Sequence, residues 1–168
     1  LSDPNANKAY LYQYNTDWQD EIYRNSNTMD YLFRVEGGDN IAKYNISLGY
    51  MGDDGTLKST SSQRYNTQVN ASVLVSKKLE IQAAINAAYL TGDYQEQGMS
   101  YETNPMLAAY RRSPLLSPWK SDMYGHLINT YSSYKYGAIE KDDFFVSNPL
   151  AIVNTLYGKS RQYDMNAK

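Results

Sequence analysis

GGDNIAKYNISLGY, residues 37–50, is the stretch whose reading decides the fold. Gly37, Gly38, Asp39 and Asn40 have the composition of a tight turn. Beyond the turn the residues alternate: Ala42, Tyr44, Ile46, Leu48 and Tyr50 on one side, Lys43, Asn45, Ser47 and Gly49 on the other. Successive side chains of a strand point to opposite faces, so this is a turn feeding a strand with one apolar and one polar face.

The same period runs outward in both directions. Residues 30–38 set Tyr31, Phe33 and Val35 against Leu32, Arg34 and Glu36. Residues 63–75 set Tyr65, Thr67, Val69, Ala71, Val73 and Val75 against Arg64, Asn66, Gln68, Asn70, Ser72 and Leu74. Residues 79–91 set Leu79, Ile81, Ala83, Ile85, Ala87 and Tyr89 against Glu80, Gln82, Ala84, Asn86, Ala88 and Leu90. Together with 41–51 these are four consecutive antiparallel strands, and a further strand is expected from about residue 150.

Bulk properties narrow the function classes. The 16 basic and 18 acidic residues leave a net charge of −2, which argues against a nucleic-acid partner. No cysteine is present, so disulfides, thiol catalysis and thiolate metal sites are excluded. A lone histidine, His126, leaves little room for a His-based triad or a zinc site. No signal peptide is visible at Leu1, and no run of 18 apolar residues could form a spanning helix. The unusual figure is 18 tyrosines against three phenylalanines. Tyrosine suits surfaces that are apolar at one end and wet at the other.

The links between strands add an asymmetry. Residues 38–40 and 76–78 are hairpin-sized, whereas 52–63 is longer and 92–147 much longer. Short and long links therefore alternate, as in a transmembrane β-barrel with short periplasmic turns and long extracellular loops. Asn, Gln, Ser and Thr dominate the polar faces, as a hydrated lumen requires, where a soluble sandwich is richer in Lys and Glu. Tyr31, Tyr50, Tyr65 and Tyr89 mark strand ends where an aromatic girdle would sit. The fold expected is all-β: an antiparallel up-and-down meander forming part of a large transmembrane β-barrel.

Several motifs also carry a resemblance. DWQDEIYR (17–24), the Gly37-Gly38 turn with Asn40, the strand ending Ser47 to Tyr50, Gly55, and Arg64-Tyr65-Asn66 succeed one another in a familiar order. SNPLAIV (147–153) and TNPMLAAYRRSP (103–114) add to it. Taken together they resemble the SusC/RagA family of TonB-dependent outer-membrane transporters. The resemblance implies a barrel of about 22 strands in the outer membrane of a Gram-negative, Bacteroidetes-like bacterium. It implies import of glycan or peptide fragments, a SusD-like lipoprotein lid, outer-membrane lipid around the wall, and TonB acting through an N-terminal region absent here. On this reading residues 1–168 are a partial barrel domain without its plug. Four or five strands are too few to close a barrel.

Other features have plain readings. Asp53-Asp54-Gly55 lacks the spaced oxygen ligands of a calcium loop and reads as a solvated turn. Glu140, Asp142 and Asp143 read as loop carboxylates rather than a catalytic pair. The sequons at Asn45 and Asn70 lie mid-strand. No catalytic constellation, cofactor motif or metal site is expected, so an enzyme ranks last. The long loop holds the plausible ligand chemistry, with Trp119, Tyr124, Tyr131, Tyr134 and Tyr136 as substrate or partner contacts. Two alternatives stay open: a soluble β-sandwich binding module, such as a surface glycan-binding domain, and a SusC-like barrel serving as a structural subunit of another outer-membrane complex. Strand pairing separates the sandwich from the barrel. A meander joins 41–51 to 64–75 edge to edge, whereas a sandwich often sets them face to face.

Overall fold

The computed structural model describes residues 11–122, 124–133 and 146–168. The chain divides into two compact units, one a sheet and one built mainly from helices and loops.

The sheet unit takes in Ser26–Gly55, Thr60–Tyr94 and Lys159–Lys168. Its strands are β1 (Thr28–Gly38), β2 (Ala42–Asp54), β3 (Ser61–Ser76) and β4 (Leu79–Tyr94). A last strand, β7 (Gly158–Ala167), completes it; β5 and β6 lie in the other unit. The order β1-β2-β3-β4-β7 follows the chain, every described pairing of β1 to β4 is antiparallel, and the strands form one sheet. Ile46 faces Val69 across a hydrogen-bonded ladder, and Val69 faces Ile85. Face-to-face packing of 41–51 on 64–75 is thereby ruled out, and with it the strand arrangement of a sandwich.

Register fixes which residues share a face. Phe33, Leu48, Thr67 and Ala87 form one rung, and Val35, Ile46, Val69 and Ile85 the next. The opposite face carries Arg34, Ser47, Gln68 and Asn86, then Glu36, Asn45, Asn70 and Ala84. β7 joins through reciprocal bonds between Ala84 and Lys168 of 3.0 and 2.9 Å. One departure from strict alternation occurs at a bulge between Leu74 and Ser76. An extra residue there breaks the ladder locally, so Val75 does not simply continue the face of Val73.

Link lengths sort by end of the sheet. Asp54 pairs with Ser61 and Ser61 with Asp93, so the link after β2 and the excursion after β4 leave at the same end. Gly38 with Lys43, and Ser76 with Leu79, lie at the other end, closed by the short turns. At the first turn the Asp39 carboxylate accepts the amides of Ile41 and Ala42, both at 2.8 Å. Bonds from Ala42 and then Ile41 hold its carboxyl below the ordinary value of 3.8. Gly38 has φ +147, and a Cβ there would collide with the Ala42 carbonyl oxygen. Gly38→Ala should therefore destabilise this hairpin by roughly 1–3 kcal/mol, read as a lowered denaturant midpoint of the intact protein.

The second unit takes in the described residues of Leu1–Asn25, Thr56–Ser59 and Gln95–Gly158. Its helices are α1 (Trp18–Ile22), α2 (Pro105–Arg111) and α3 (Pro149–Thr155). The short hairpin of β5 (Trp119–Ser121) and β6 (Leu127–Tyr131) joins them. Trp18, Ile22, Leu57, Ala109, Leu116 and Val153 pack into one core; Ala108, Val146 and Ile152 make a second cluster.

Two helices begin with the same device. Asn104 and Asn148 cap α2 and α3, each with proline directly after it. The residue before proline is held out of the helical region, its side chain satisfies the first free amides, and proline costs nothing at the first helical position. The strand expected from about residue 150 is therefore corrected: Asn148-Pro149 starts a helix, and the strand begins only at Gly158. Likewise 92–147 is not one irregular loop but contains α2, β5 and β6.

Candidate functional site

The sheet's apolar face ends in a row of tyrosines. Tyr31, Tyr50, Tyr65 and Tyr89 are cross-strand neighbours in register. Their ring centroids lie 6.2, 5.0 and 6.1 Å apart along the row. Tyr163 on β7 extends it, its ring 4.7 Å from that of Tyr89. Five strands thus each contribute one phenol at one level. Toward the short turns, the rungs below the row are apolar: Phe33, Leu48, Val35, Ile46, Val69 and Ile85. All but Val69 are counted among the exposed large hydrophobic residues. The next rungs beyond the row bring in Gln63 with Thr91, then Ser61 with Asp93. The row is a boundary between apolar and polar surface, the position tyrosine favours.

Glycine makes room for these rings. A Cβ on Gly37 would fall 2.7 Å from the hydroxyl of its cross-strand partner Tyr44, and one on Gly52 equally close to that of Tyr50. The phenols occupy the space that a side chain would take. Gly37→Val should displace Tyr44 and lower stability by about 1–3 kcal/mol through overpacking and strain, read in the same denaturation measurement.

On the polar face, side chains bond to one another. Asn45 Nδ2 donates to Glu36 at 3.3 Å, Arg64 Nε to Asn66 at 2.9 Å, and Gln162 Nε2 to Asp164 at 3.1 Å. Ser47 in its midst is buried. Asp53, read from the sequence as a solvated turn, accepts the Thr28 hydroxyl at 2.6 Å. Among the described residues, no three His, Asp or Glu side chains cluster to hold a metal ion.

The aromatic residues singled out in the long loop fall into three groups. Trp119 and Tyr131 pair across the β5–β6 hairpin, rings stacked at 5.2 Å with an interplanar angle of 16°. The Tyr131 hydroxyl accepts from Asn154 Nδ2 at 3.0 Å, which ties the pair to α3. Tyr124 stands apart at the hairpin tip, 79% exposed, its ring 6.5 Å from that of His126. Tyr134 and Tyr136 lie outside the described residues, as do Glu140, Asp142 and Asp143.

The tip itself is held by Asp122. Its carboxylate accepts the amides of Tyr124 and His126, both at 2.8 Å. The His126 amide is the largest cause holding its carboxyl below the ordinary 3.8, helped by the amide of Tyr124 and the His126 ring. A depressed carboxyl contributes order above its unfolded value and loses it as pH falls through the lowered one. Tyr124 should therefore stay fixed at neutral pH and loosen only in acid below the ordinary carboxyl value of 3.8, visible as amide exchange at Tyr124 and His126.

A buried polar network holds the base of the hairpin. Asn148 Nδ2 donates to the Pro118 carbonyl at 2.7 Å, and to the Ser132 carbonyl and hydroxyl at 3.2 and 3.1 Å. Ser132 donates to the Ser117 carbonyl at 2.7 Å. Arg112, only 3% exposed, donates to the Val146 carbonyl at 2.6 Å and to Ser132 at 3.0 Å. Its guanidinium also lies 5.1 Å from the Trp18 ring centroid. Sequence reading passed over this network and over Tyr163. The Asn-Pro pairs could have flagged the first, and the alternation of Tyr163 and Met165 the second.

A meander with one apolar and one polar face, a phenol row at one level and all long excursions on that side has the features of a β-barrel wall segment. Comparison with known proteins points the same way. The chain is 33% identical over 78 residues to TonB-dependent receptor SusC of Bacteroides thetaiotaomicron, a match covering 46% of this chain and 8% of that receptor. It is 28% identical over 142 residues to TonB-dependent receptor P3 of Formosa agariphila, covering 82% of this chain and 13% of that protein. The resemblance to SusC-like TonB-dependent receptors stands on both matches. The chain thus spans a small part of the length of the curated relatives it matches. No family model matches it.

Proposed function

We propose that this chain is part of the barrel wall of a SusC-like TonB-dependent transporter in the outer membrane of a Gram-negative bacterium. One observation carries the reading: a meander hydrogen-bonded in chain order presents an apolar face that ends in a tyrosine row on the side of the long excursions. From Tyr89 to Leu79, strand β4 rises about 33 Å at about 3.3 Å per residue. A tilt of about 40° reduces that to about 25 Å, the height of an outer-membrane barrel's apolar band. Phe33, Ile46, Val69 and Ile85 then face lipid, and Ser47, Gln68 and Asn86 face the lumen. The tyrosine row lies at the extracellular interface and the two short turns at the periplasmic one.

On this reading the transporter imports glycan or peptide fragments, with TonB supplying energy through a region outside this chain. A SusD-like lipoprotein covers the extracellular side. Trp119, Tyr124, Tyr131, Tyr134 and Tyr136 contact that partner or the substrate, and exposed Tyr124 is the first to test. Trp119 and Tyr131 act as the rigid base of the hairpin that presents it.

This chain contains no cysteine, so labels can be placed in the wall segment once any cysteine elsewhere in the intact protein is replaced. Single cysteines at positions 68–71 of the intact protein, carrying nitroxide labels in membranes, should alternate. Positions 69 and 71 should be accessible to oxygen, and 68 and 70 to aqueous nickel chelate. Uniform aqueous access at all four positions would refute the membrane wall. For the partner, Tyr124→Ala should reduce co-purification of the lipoprotein or substrate uptake several-fold while the protein still assembles.

A further inference from the structure

The second unit holds an open cleft between the segment leading into α1 and the end of α2, with a volume of about 360 Å³. Small-ligand sites run from about 300 to 1,000 Å³ and set a few polar groups around an apolar lining. Thr16 joins the two sides, its amide donating to the Pro114 carbonyl at 2.8 Å and its hydroxyl to the Leu116 carbonyl at 2.7 Å. Trp18 and Ala109, both buried, make the floor, and the Trp18 indole is fixed by donating to the Ser113 carbonyl at 2.9 Å. Exposed Asn15, Asp17, Gln19 and Tyr110 form the rim. Among the described residues, nothing bonds the side-chain amides of Asn15 and Gln19 or the Tyr110 hydroxyl, and no ring packs on Tyr110, which is 72% exposed. Asp17 Oδ1 accepts the amides of Gln19 and Asp20 at 2.9 and 3.3 Å, which leaves Oδ2 as an open acceptor. Of the charged residues in the lining, Arg112 is the buried one, held by the Val146 carbonyl and Ser132 with its guanidinium over the Trp18 ring, and Asp17 at the rim has the opposite sign. Asp20 and Glu21 lie outside the lining.

These groups together select a neutral polyhydroxyl ligand. A side-chain amide is donor and acceptor at one tip, and a hydroxyl is both as well. A carboxylate oxygen accepts hydroxyl hydrogens strongly, whereas an exposed carboxylate at the mouth repels an anion. No strand residue lines the cleft, so an extended peptide finds no ladder to join. A saccharide carries hydroxyls around its edge and C–H groups on its faces, which suit the Tyr110 and Trp18 rings, apolar in body and polar at the tip. We propose that this cleft binds a neutral saccharide unit, Tyr110 covering a ring face while Asn15, Asp17 and Gln19 bond its hydroxyls. As a statement about cargo, neutral glycan in place of peptide, it rests on the transporter reading; the binding itself does not.

Saturation-transfer NMR on the intact protein in detergent would measure binding of maltotriose, cellotriose and xylotriose, with tri-galacturonate, trialanine and trilysine as the charged and peptide probes. At least one neutral trisaccharide should bind, and tri-galacturonate and both peptides should bind far more weakly. Asn15→Ala and Tyr110→Ala, at exposed positions that leave the fold intact, should each weaken the sugar by about tenfold. Tyr110→Phe should retain it. Asp17→Asn keeps a competent helix cap and should narrow the gap between tri-galacturonate and the neutral sugars. Transfer to none of the three neutral sugars overturns the proposal, as do alanine variants that bind like wild type, or a preference for trilysine or trialanine. The nitroxide scan of positions 68–71 separates this failure from that of the wall. Oxygen access at 69 without sugar binding sinks only the cleft, whereas sugar binding with uniform aqueous access keeps the cleft and sinks the transporter.

Discussion

Val69→Asp or Ile85→Lys should sharply reduce the fraction of intact protein that assembles in the outer membrane. Asn70→Lys and Asn86→Lys, one residue away, should assemble nearly as well as wild type. Val69 pairs with both Ile46 and Ile85 at the centre of the apolar face, so a charge there has no polar neighbour on its own rung. A lysine at the bilayer midplane of a barrel costs about 2–4 kcal/mol, and an aspartate less. Asn70 and Asn86 sit among amides and hydroxyls on the opposite face, where a charge stays hydrated. Heat-modifiable migration of the membrane fraction would report assembly. Equal losses at 69 and 70 would contradict a lipid-facing alternation.

Asn148→Ala should unfold the end of the second unit nearest α3. Asn148 is 3% exposed, and its side chain caps Leu150 and Ala151 while donating to the Pro118 and Ser132 carbonyls. Losing the cap costs about 0.5–2 kcal/mol. The Pro118 carbonyl keeps the Ser132 amide at 2.9 Å, and the Ser132 carbonyl, deprived of Asn148, adds about 1–3 kcal/mol. Amide exchange at residues 150–156 should accelerate by one or more orders of magnitude. Asn148→Asp should fail to rescue it, because a carboxylate caps the helix but faces two carbonyl oxygens. Full protection in the aspartate variant would show that the cap alone matters.

How far the sequence disclosed all this depended on the physics of each part. The strands were legible because a face in contact with one medium imposes a period of two, and Tyr44, Ile46, Val69 and Ile85 obey it. Four of the five row tyrosines were legible for the same reason. Tyr163 lies in a strand reading KSRQYDMNA, where polar residues at both phases mask the alternation. The bulge at Leu74–Ser76 was invisible because one inserted residue changes register without changing composition. The second unit was hidden differently. Its core joins Trp18, Leu57, Leu116 and Val153, which are far apart in the chain and obey no period. Locally its helices are announced by their caps, Asp17 before α1 and the Asn-Pro pairs before α2 and α3, whose message is a helix start rather than a strand.

The way β7 returns to the sheet has a consequence for how such a chain can change. β7 pairs with β4 so that Lys168 meets Ala84 and Tyr163 meets Tyr89, which brings Lys159 back to the end where β4 finishes. Departure and re-entry are thus neighbouring rungs of one ladder, and the ladder is indifferent to how much chain lies between them. Doubling the length of a flexible connection adds only about 0.6 kcal/mol of closure cost. The length of chain between Tyr94 and Gly158 can therefore change without shifting the pairing of β4 with β7, while Ala109, Leu116 and Val153, which share a core with Trp18, Ile22 and Leu57, must change together with them. Sequence change in that excursion is thus bounded by its own core rather than by the ladder of the strands.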